Sequence, residues 1–172
     1  MSTLLVLGGA RSGKSRYAQQ RAEAFDGALA YIATAQARDG EMAERIARHQ
    51  ADRDSRWRTI NAPLDLASAI RKAADRHDAI LIDCLTLWLS NLIEAEIALS
   101  TAFDDLVRTV SACPRPLALV ANEVGLGIVP HNALARRFRD EAGRLNQRMA
   151  DCCNEVVFIA AGLPMQLKAT SS

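Results

Sequence analysis

The order of apolar and polar positions along the chain predicts strands that alternate with helices. Short apolar runs of strand length lie at 4–7, 28–33, 78–83, 117–121 and 155–161. Between these runs apolar residues recur every three or four positions, which predicts helices at 17–25, 64–76, 85–93, 101–113 and 133–152. This alternation is typical of an α/β fold, in which a mostly parallel β-sheet is flanked by helices.

Several other segments give weaker patterns. A polar helix is predicted at 43–52, where apolar positions are few, and it should lie on the surface or over a cleft. The run 57–61 is predicted to be a strand or extended segment, and 165–168 a short edge strand. Residues 122–130 mix two glycines and a proline with apolar residues, which makes this loop a candidate lid or substrate loop, with a long structural connection as the alternative. Asn132 is expected to cap the helix that follows this loop.

Length and composition indicate a single globular domain, and the charge balance does not indicate a macromolecular partner. The 172 residues fit one domain over 1–172. The 21 Lys and Arg residues nearly balance the 20 Asp and Glu residues, so the net charge of +1 does not indicate nucleic-acid binding. No apolar run approaches the ~20 residues of a membrane span, and the first strand begins too early for a signal peptide. The four cysteines lack C-x-x-C spacing, which predicts reduced thiols in a cytoplasmic protein.

The strongest chemical signal lies between the first predicted strand and the first predicted helix. The segment reads Gly8-Gly9-Ala10-Arg11-Ser12-Gly13-Lys14-Ser15. It matches the G-x-x-x-x-G-K-[ST] pattern in the strand–loop–helix context that this pattern requires. Glycines let backbone N–H groups surround a phosphate, and the helix start adds its positive end. Lys14 is then placed to reach the β- and γ-phosphates, and the Ser15 hydroxyl to ligate Mg²⁺. The sequence predicts a nucleotide site on a single P-loop NTPase domain of the RecA-like type.

Two strand ends add candidate residues, because ligands of open α/β sheets gather at the carboxyl ends of the strands. The strand at 78–83 ends in Asp83, beside the phosphate loop in the predicted arrangement. A carboxylate there holds Mg²⁺ directly or through water, and a helix cap is the alternative interpretation. The second predicted strand leads into three residues that are candidates to line the nucleotide, with a plain strand exit as the alternative: Ala33, Thr34 and Ala35.

Motifs along nearly the whole chain resemble one family, the bifunctional adenosylcobinamide kinase/adenosylcobinamide-phosphate guanylyltransferases of cobalamin biosynthesis. The blocks in the first half are GGARSGKS at 8–15, YIAT at 31–34, the segment from Glu41 to His49, WRT at 57–59, and DCLT at 83–86 with Asn91 and Leu92. The longest block is NEVGLGIVP at 122–130, and it continues into the next helix through Arg136, Arg139, Gly143 and Asn146. A P-loop alone would indicate only a superfamily, whereas this long block indicates the family.

The resemblance implies two reactions on a corrinoid substrate. ATP or GTP phosphorylates the aminopropanol hydroxyl of adenosylcobinamide, and GTP then donates GMP to that phosphate, which gives adenosylcobinamide-GDP and pyrophosphate. In the family the second reaction passes through a guanylylated histidine, and the matching residue is His49. A neutral imidazole is a competent nucleophile near pH 7. The expected catalytic residues are therefore His49, Lys14 and Asp83.

The resemblance also implies further nucleotide contacts and an oligomer. The contacts expected just after the histidine are Gln50, Ala51, Asp52 and Arg53. Another is expected at Asn61, where the family usually offers a glutamate; the amide of this chain still hydrogen-bonds a ribose or base but supplies no negative charge. The family forms propeller-like trimers with sites between subunits, so a homotrimer is expected here.

Other classes of protein remain as alternatives. A P-loop kinase for another small hydroxyl compound needs Lys14, Ser15 and Asp83 but has no use for His49. A nucleotide-binding switch without transferase chemistry is a second alternative; guanine-reading switches commonly carry N-K-x-D, whereas this chain has NEVG from Asn122 in the comparable region. A DNA-stimulated RecA-like ATPase is disfavoured by the near-neutral charge and the single small domain.

Overall fold

The computed structural model describes residues 2–36 and 54–169, and within these ranges strands and helices alternate. The strands are β1 (Thr3–Gly8), β2 (Leu29–Ala33), β3 (Trp57–Asn61), β4 (Ala79–Asp83), β5 (Leu117–Asn122), β6 (Glu155–Ala160) and β7 (Leu163–Lys168). The helices are α1 (Lys14–Glu23), α2 (Leu66–Ala74), α3 (Leu85–Glu94), α4 (Leu99–Ala112) and α5 (Ala133–Cys152). None of these helices has the length and apolar character that crossing a bilayer requires.

The strands β1 to β7 form one sheet in the order β3-β2-β4-β5-β1-β6-β7. Every pairing from β3 across to β6 is parallel, and β7 runs antiparallel to β6 at the edge. Parallel strands are covered on both faces, which explains why they stand out in the sequence as continuous apolar runs. The mostly parallel α/β sheet predicted from the sequence is thereby confirmed.

Successive residues of a strand face opposite sides of the sheet, and each side has its own apolar core. Leu4 and Val6 of β1 pack with Ala18 and Ala22 of α1. Leu5, which lies between them, faces the other side, where α2, α3, α4 and α5 build the larger core. The described helices therefore lie on both faces of the sheet. Helix α1, which follows the phosphate loop, packs on one face, and the other four pack on the opposite face.

The predicted bounds differ from the structure at two places with a clear local cause. Helix α2 begins at Leu66 and not at 64, because the Asp65 side chain accepts a hydrogen bond from the Ser68 backbone N–H at 3.2 Å and so caps the helix. Strand β7 begins at Leu163 and not at 165, because a turn through Gly162, whose φ is 81°, reverses the chain directly after β6. Both differences arise from turn and cap geometry.

Several smaller predictions can be checked in the same structure. The Asn132 side chain accepts from the Ala135 backbone N–H at 3.1 Å, so the predicted cap of α5 is confirmed. The four cysteines are free thiols, as predicted. The helix predicted at 43–52 lies outside the described residues.

Candidate active site

The segment between β1 and α1 forms a tight loop at the carboxyl edge of the sheet. The Ser12 backbone N–H donates to the Gly9 carbonyl at 3.3 Å, and Lys14 Nζ donates to the same carbonyl at 3.2 Å. Gly13 precedes the first residue of α1 with a φ of 95°, a conformation that glycine adopts without strain. The first N–H groups of α1 therefore follow directly on the loop, as a phosphate-binding helix start requires.

Close packing fixes the shape of this loop. A Cβ atom on Gly8 would lie 2.5 Å from Ser12 Oγ and 2.7 Å from the Ile159 carbonyl oxygen, so no side chain fits there. The Gly162 backbone N–H, in the turn between β6 and β7, donates to the Ser12 carbonyl at 2.9 Å. The loop is thus held from the far end of the sequence as well as from its own two ends.

The ends of β4 and β5 place two polar side chains on the face of the sheet that α1 covers. Residues two apart in a strand share a face, and the residues two positions before Asp83 and Asn122 both pack in the α1-side core. Gly8 lies on that face as well, since Val6 belongs to the same core. Helix α1 packs against β1, β5 and β4, so all three strand ends face its side of the sheet.

Strand β4, which ends in Asp83, is not hydrogen-bonded directly to the phosphate-loop strand β1. Strand β5 stands between β4 and β1, so two strand spacings, about 10 Å, separate Asp83 from the loop strand. In register Asp83 pairs with Val120, and Val120 pairs with Val6. The half-buried carboxylate is nevertheless on the α1 side, which brings it toward the helix start and not away from it.

A buried polar network fixes the exit of β2 against the start of α3. Thr34 Oγ1 accepts from the Cys84 backbone N–H at 2.9 Å and donates to the Cys84 carbonyl at 2.7 Å. Asn91 Nδ2 donates to the carbonyls of Thr34, at 2.8 Å, and Pro63, at 2.9 Å. Thr34 has no exposed surface, so its hydroxyl serves to hold the chain directly after Asp83 and is closed to a ligand.

The same network surrounds the buried thiol of Cys84. Burial, and after it the negative charge of Asp83, raises the pKa of the Cys84 thiol to about 11. The thiolate is the reactive form of cysteine, and a thiol with so high a pKa stays protonated near neutral pH. Cys84 is therefore a structural residue next to the predicted acid.

The other predicted site residues fall into two groups. Ala33 is buried and Ala35 half-buried at the end of β2, three strands from β1, and Asn61 ends β3, one strand further out. These strand ends share the carboxyl edge of the sheet with the phosphate loop, but the structure does not bring Asn61 close to it. The second group lies outside the described residues, and it comprises His49, Gln50, Ala51, Asp52 and Arg53.

The loop after β5 is tied at both ends and exposes apolar side chains between them. The Glu123 backbone N–H donates to the Gly8 carbonyl at 3.0 Å, and Arg136 Nη1 donates to the Pro130 carbonyl at 2.9 Å. Between these anchors Leu126 is 82% exposed and Ile128 95% exposed. Its interpretation as a lid or substrate loop stays a prediction.

Sequence reasoning missed the polar side chains that fix the strand ends. Three such side chains are buried: Thr86, Asn91 and Asn146. Thr86 and Asn146 hydrogen-bond the backbone of Asn122 at the end of β5, and Asn91 hydrogen-bonds the backbone of Thr34 directly after β2. The sequence signal that could have identified them is a short polar residue on the apolar face of a predicted helix. Such a residue needs a partner when buried, and in this fold the partner is a strand end.

The phosphate loop between β1 and α1, together with an acidic strand end on the same face, defines the P-loop class of nucleotide-binding α/β proteins. Within that class the chain belongs to the cobinamide kinase / cobinamide phosphate guanyltransferase family, whose model matches residues 4–167. The family resemblance seen in the sequence motifs is thus confirmed over nearly the whole chain.

Named relatives agree with this family. The chain is 49% identical over 166 residues to the bifunctional adenosylcobalamin biosynthesis protein CobP of Pseudomonas aeruginosa, with 95% of this chain and 96% of the relative covered. It is 42% identical to the bifunctional adenosylcobalamin biosynthesis protein CobU of Salmonella typhimurium, with 96% of this chain and 99% of that protein covered. The protein of the same name from Escherichia coli K12 is 38% identical with the same coverage.

A solved structure supports the fold by itself. A protein of Pyrococcus horikoshii OT3 superposes with a TM-score of 0.58 at 9% sequence identity, and the match covers 99% of this chain and 88% of that one. At so low an identity the likeness concerns the arrangement of strands and helices alone.

Proposed function

We propose that this protein phosphorylates adenosylcobinamide with ATP or GTP and then transfers GMP from GTP to the phosphate, which gives adenosylcobinamide-GDP. The observation that carries the proposal is a complete phosphate loop in a chain whose family match runs from residue 4 to 167. Relatives named as bifunctional are covered over 96–99% of their length, so the chain has room for both activities. A single domain serves both reactions.

In the kinase step the loop and α1 hold the triphosphate. In the structure Lys14 Nζ donates a hydrogen bond to the Gly9 carbonyl, and when the nucleotide binds it exchanges that contact for the β- and γ-phosphates. The loop N–H groups and the positive end of α1 stabilise the charge that spreads over the transferring phosphoryl group, which is the main source of catalysis in this chemistry. Asp83 orients the acceptor hydroxyl or the metal from the end of β4, two strands away from the phosphate-loop strand β1.

The residues present suit Mg²⁺ bound together with the nucleotide. No cluster of three or more histidine, cysteine or acidic side chains that could hold a metal occurs in residues 2–36 and 54–169. Mg²⁺ commonly uses one or two carboxylates and shares the phosphates of a nucleotide, and a half-buried Asp83 on the α1 side meets that need. Ser15, the second residue of α1, supplies the hydroxyl ligand. The ion neutralises triphosphate charge when bound.

In the guanylyl-transfer step we propose His49 as the nucleophile. An imidazole nitrogen attacks the α-phosphorus of GTP, the bond to the β-phosphate oxygen breaks, and pyrophosphate leaves. A phosphate oxygen of adenosylcobinamide phosphate then attacks the same phosphorus, the P–N bond breaks, and the free imidazole is restored. The nucleotide contacts at 50–53 and at Asn61 belong to this step of the proposal.

The histidine is tested by covalent labelling. On incubation with Mg²⁺ and GTP labelled at the α-phosphate, the wild-type protein should retain acid-labile, base-stable label, and His49→Ala should retain none. The reason is that only an imidazole at this position forms the P–N bond. Phosphorylation of adenosylcobinamide should persist in His49→Ala, because that step uses the phosphate loop.

His131→Ala is the matched control, since His131 is an exposed histidine in the loop before α5 and should leave labelling intact. Absence of label on wild type that binds GTP would remove His49 from the mechanism and leave a P-loop kinase. Label on both histidine variants would place the covalent bond on another residue.

We also propose a homotrimer in the cytoplasm. Strand β7 is exposed along its whole length, and its apolar residues Leu163, Met165 and Leu167 are 69%, 54% and 59% exposed. An exposed apolar edge strand can pair with a strand of another chain, so we propose that a second copy of this protein covers β7. The cytoplasm supplies ATP and GTP and keeps the four free thiols reduced.

Light scattering on the purified protein should give about three times the 18.7 kDa chain mass. Met165→Lys should shift that mass toward the monomer, because a buried charge opposes the apolar contact. Lys72→Met, on the exposed side of α2, is the opposite exchange away from β7 and should leave the mass unchanged. A monomeric wild-type protein would contradict the trimer without affecting the assignment of the reactions.

A further inference from the structure

Two buried polar side-chain atoms of the described residues have no hydrogen-bond partner, and both adjoin Gly8. They are Ser12 Oγ and Asn122 Oδ1. Ser12 Oγ lies 2.5 Å from the position of a Cβ atom on Gly8, and Asn122 is the register partner of Gly8 in the pairing of β1 with β5. A buried polar atom without a partner lowers stability. Ser12 belongs to the phosphate loop itself, whereas Asn122 is a new residue of the site.

The backbone of Asn122 is fixed from three elements. Its N–H donates to Thr86 Oγ1 of α3 at 2.7 Å, and its carbonyl accepts from Asn146 Nδ2 of α5 at 3.4 Å. The N–H of the next residue, Glu123, donates to the Gly8 carbonyl at 3.0 Å. Both Thr86 and Asn146 are buried, so the fold fixes the backbone that carries the Asn122 side chain.

The Asn122 amide stands at the centre of the polar strand ends on the α1 side. It lies on β5, which separates the phosphate-loop strand β1 from β4 with Asp83. The residue is half-buried, and neither end of its amide bonds to another of the described residues. A neutral amide offers two N–H donors to phosphoryl oxygens, whereas a carboxylate in this place would repel them.

We propose that Asn122 is a catalytic residue. Its side-chain amide, which lies between the phosphate loop and Asp83, donates a hydrogen bond to a phosphate oxygen of the bound nucleotide. The proposal rests on the proposed function for the identity of the nucleotide as ATP or GTP. The donor is the amide nitrogen, and a donor preorganised toward developing charge needs no rearrangement during the reaction.

Two substitutions separate this role from simple packing. Asn122→Leu keeps the size of the side chain and removes the unpaired oxygen, so the melting temperature should stay the same or rise. Its kcat for phosphorylation of adenosylcobinamide should nevertheless fall roughly tenfold to a hundredfold. Asn122→Asp keeps the shape and adds negative charge, so its GTP affinity, measured by titration calorimetry, should be at least about tenfold weaker than that of Asn122→Leu.

The matched control is Asn154→Leu at the opposite edge of the sheet. Asn154 Oδ1 accepts from the Thr3 backbone N–H at 3.0 Å and from Thr3 Oγ1 at 2.8 Å, so this variant should lose stability and keep its GTP affinity. The proposal is overturned if Asn122→Leu retains wild-type kcat and GTP affinity, or if Asn122→Asp binds GTP as tightly as Asn122→Leu. If the wild-type protein binds GTP without acting on adenosylcobinamide, the proposed function fails while the GTP affinities still decide the role of Asn122.

Discussion

Lys14→Ala is expected to lower the rate of adenosylcobinamide phosphorylation by at least about a hundredfold, which is the usual loss when one preorganised charge stabiliser is removed from a transition state. Lys14 is half-buried at the start of α1, and its ammonium is already held over the loop by the Gly9 carbonyl. The substitution leaves a good helix former at a position without core contacts, so the fold should be retained.

The measurement is single-turnover phosphorylation at saturating ATP or GTP, combined with a thermal melt of each variant. Arg16→Ala is the matched control, because Arg16 is an exposed cation two residues further along the same helix. It should retain nearly wild-type rates. Equal losses in the two variants would mean that general positive charge, and not the position of Lys14, supports the reaction.

Gly8→Ala is expected to destabilise the protein by about 3 kcal/mol, the upper range for a methyl group forced into a filled site. For a chain of this size that corresponds to a melting temperature lower by roughly 6–12 °C. The added Cβ would meet Ser12 Oγ at 2.5 Å and the Ile159 carbonyl oxygen at 2.7 Å, and the second of these belongs to the backbone of β6. Relief requires a shift of β1 or of the loop, so GTP affinity should fall as well.

Gly9→Ala is the control for the Gly8 substitution. A Cβ atom on Gly9 meets nothing within 4 Å, so this variant should melt close to the wild-type temperature although it lies one residue away in the same loop. Differential scanning calorimetry of the three proteins decides the matter. If Gly8→Ala and Gly9→Ala melt together, close packing at Gly8 does not set the stability of the loop.

The local parts of this molecule were predictable from the sequence because their causes are local. The inner parallel strands are covered on both faces and therefore appear as apolar runs. Strand β3 lies at the edge of the sheet with a mixed sequence, and it was predicted as a strand or extended segment with its observed bounds. The phosphate loop was predictable since the strand, the glycines and the helix start follow one another directly. Asn132 caps α5 by a contact within its own turn, and this too could be predicted.

What escaped prediction depends on contacts between distant segments. Nothing near Asp83 in the sequence indicates that β5 will be inserted between β4 and β1. Asn122 was seen only as part of a loop motif, because its burial depends on Thr86 and Asn146 from two separate helices. The hydrogen bond from Gly162 to Ser12 joins two turns that no periodicity connects.

That last hydrogen bond bears on the order in which the chain is made. The phosphate loop is synthesised before β5 and β6, and these are the two strands with which β1 pairs in the described part of the chain. At about 5–20 residues per second the wait from Ser12 to Gly162 is roughly 8–30 s. During that time an apolar strand with open edges has to be shielded, and no nucleotide pocket exists to help organise it. We therefore expect the phosphate loop to take its final shape only after the turn that contains Gly162 has been synthesised.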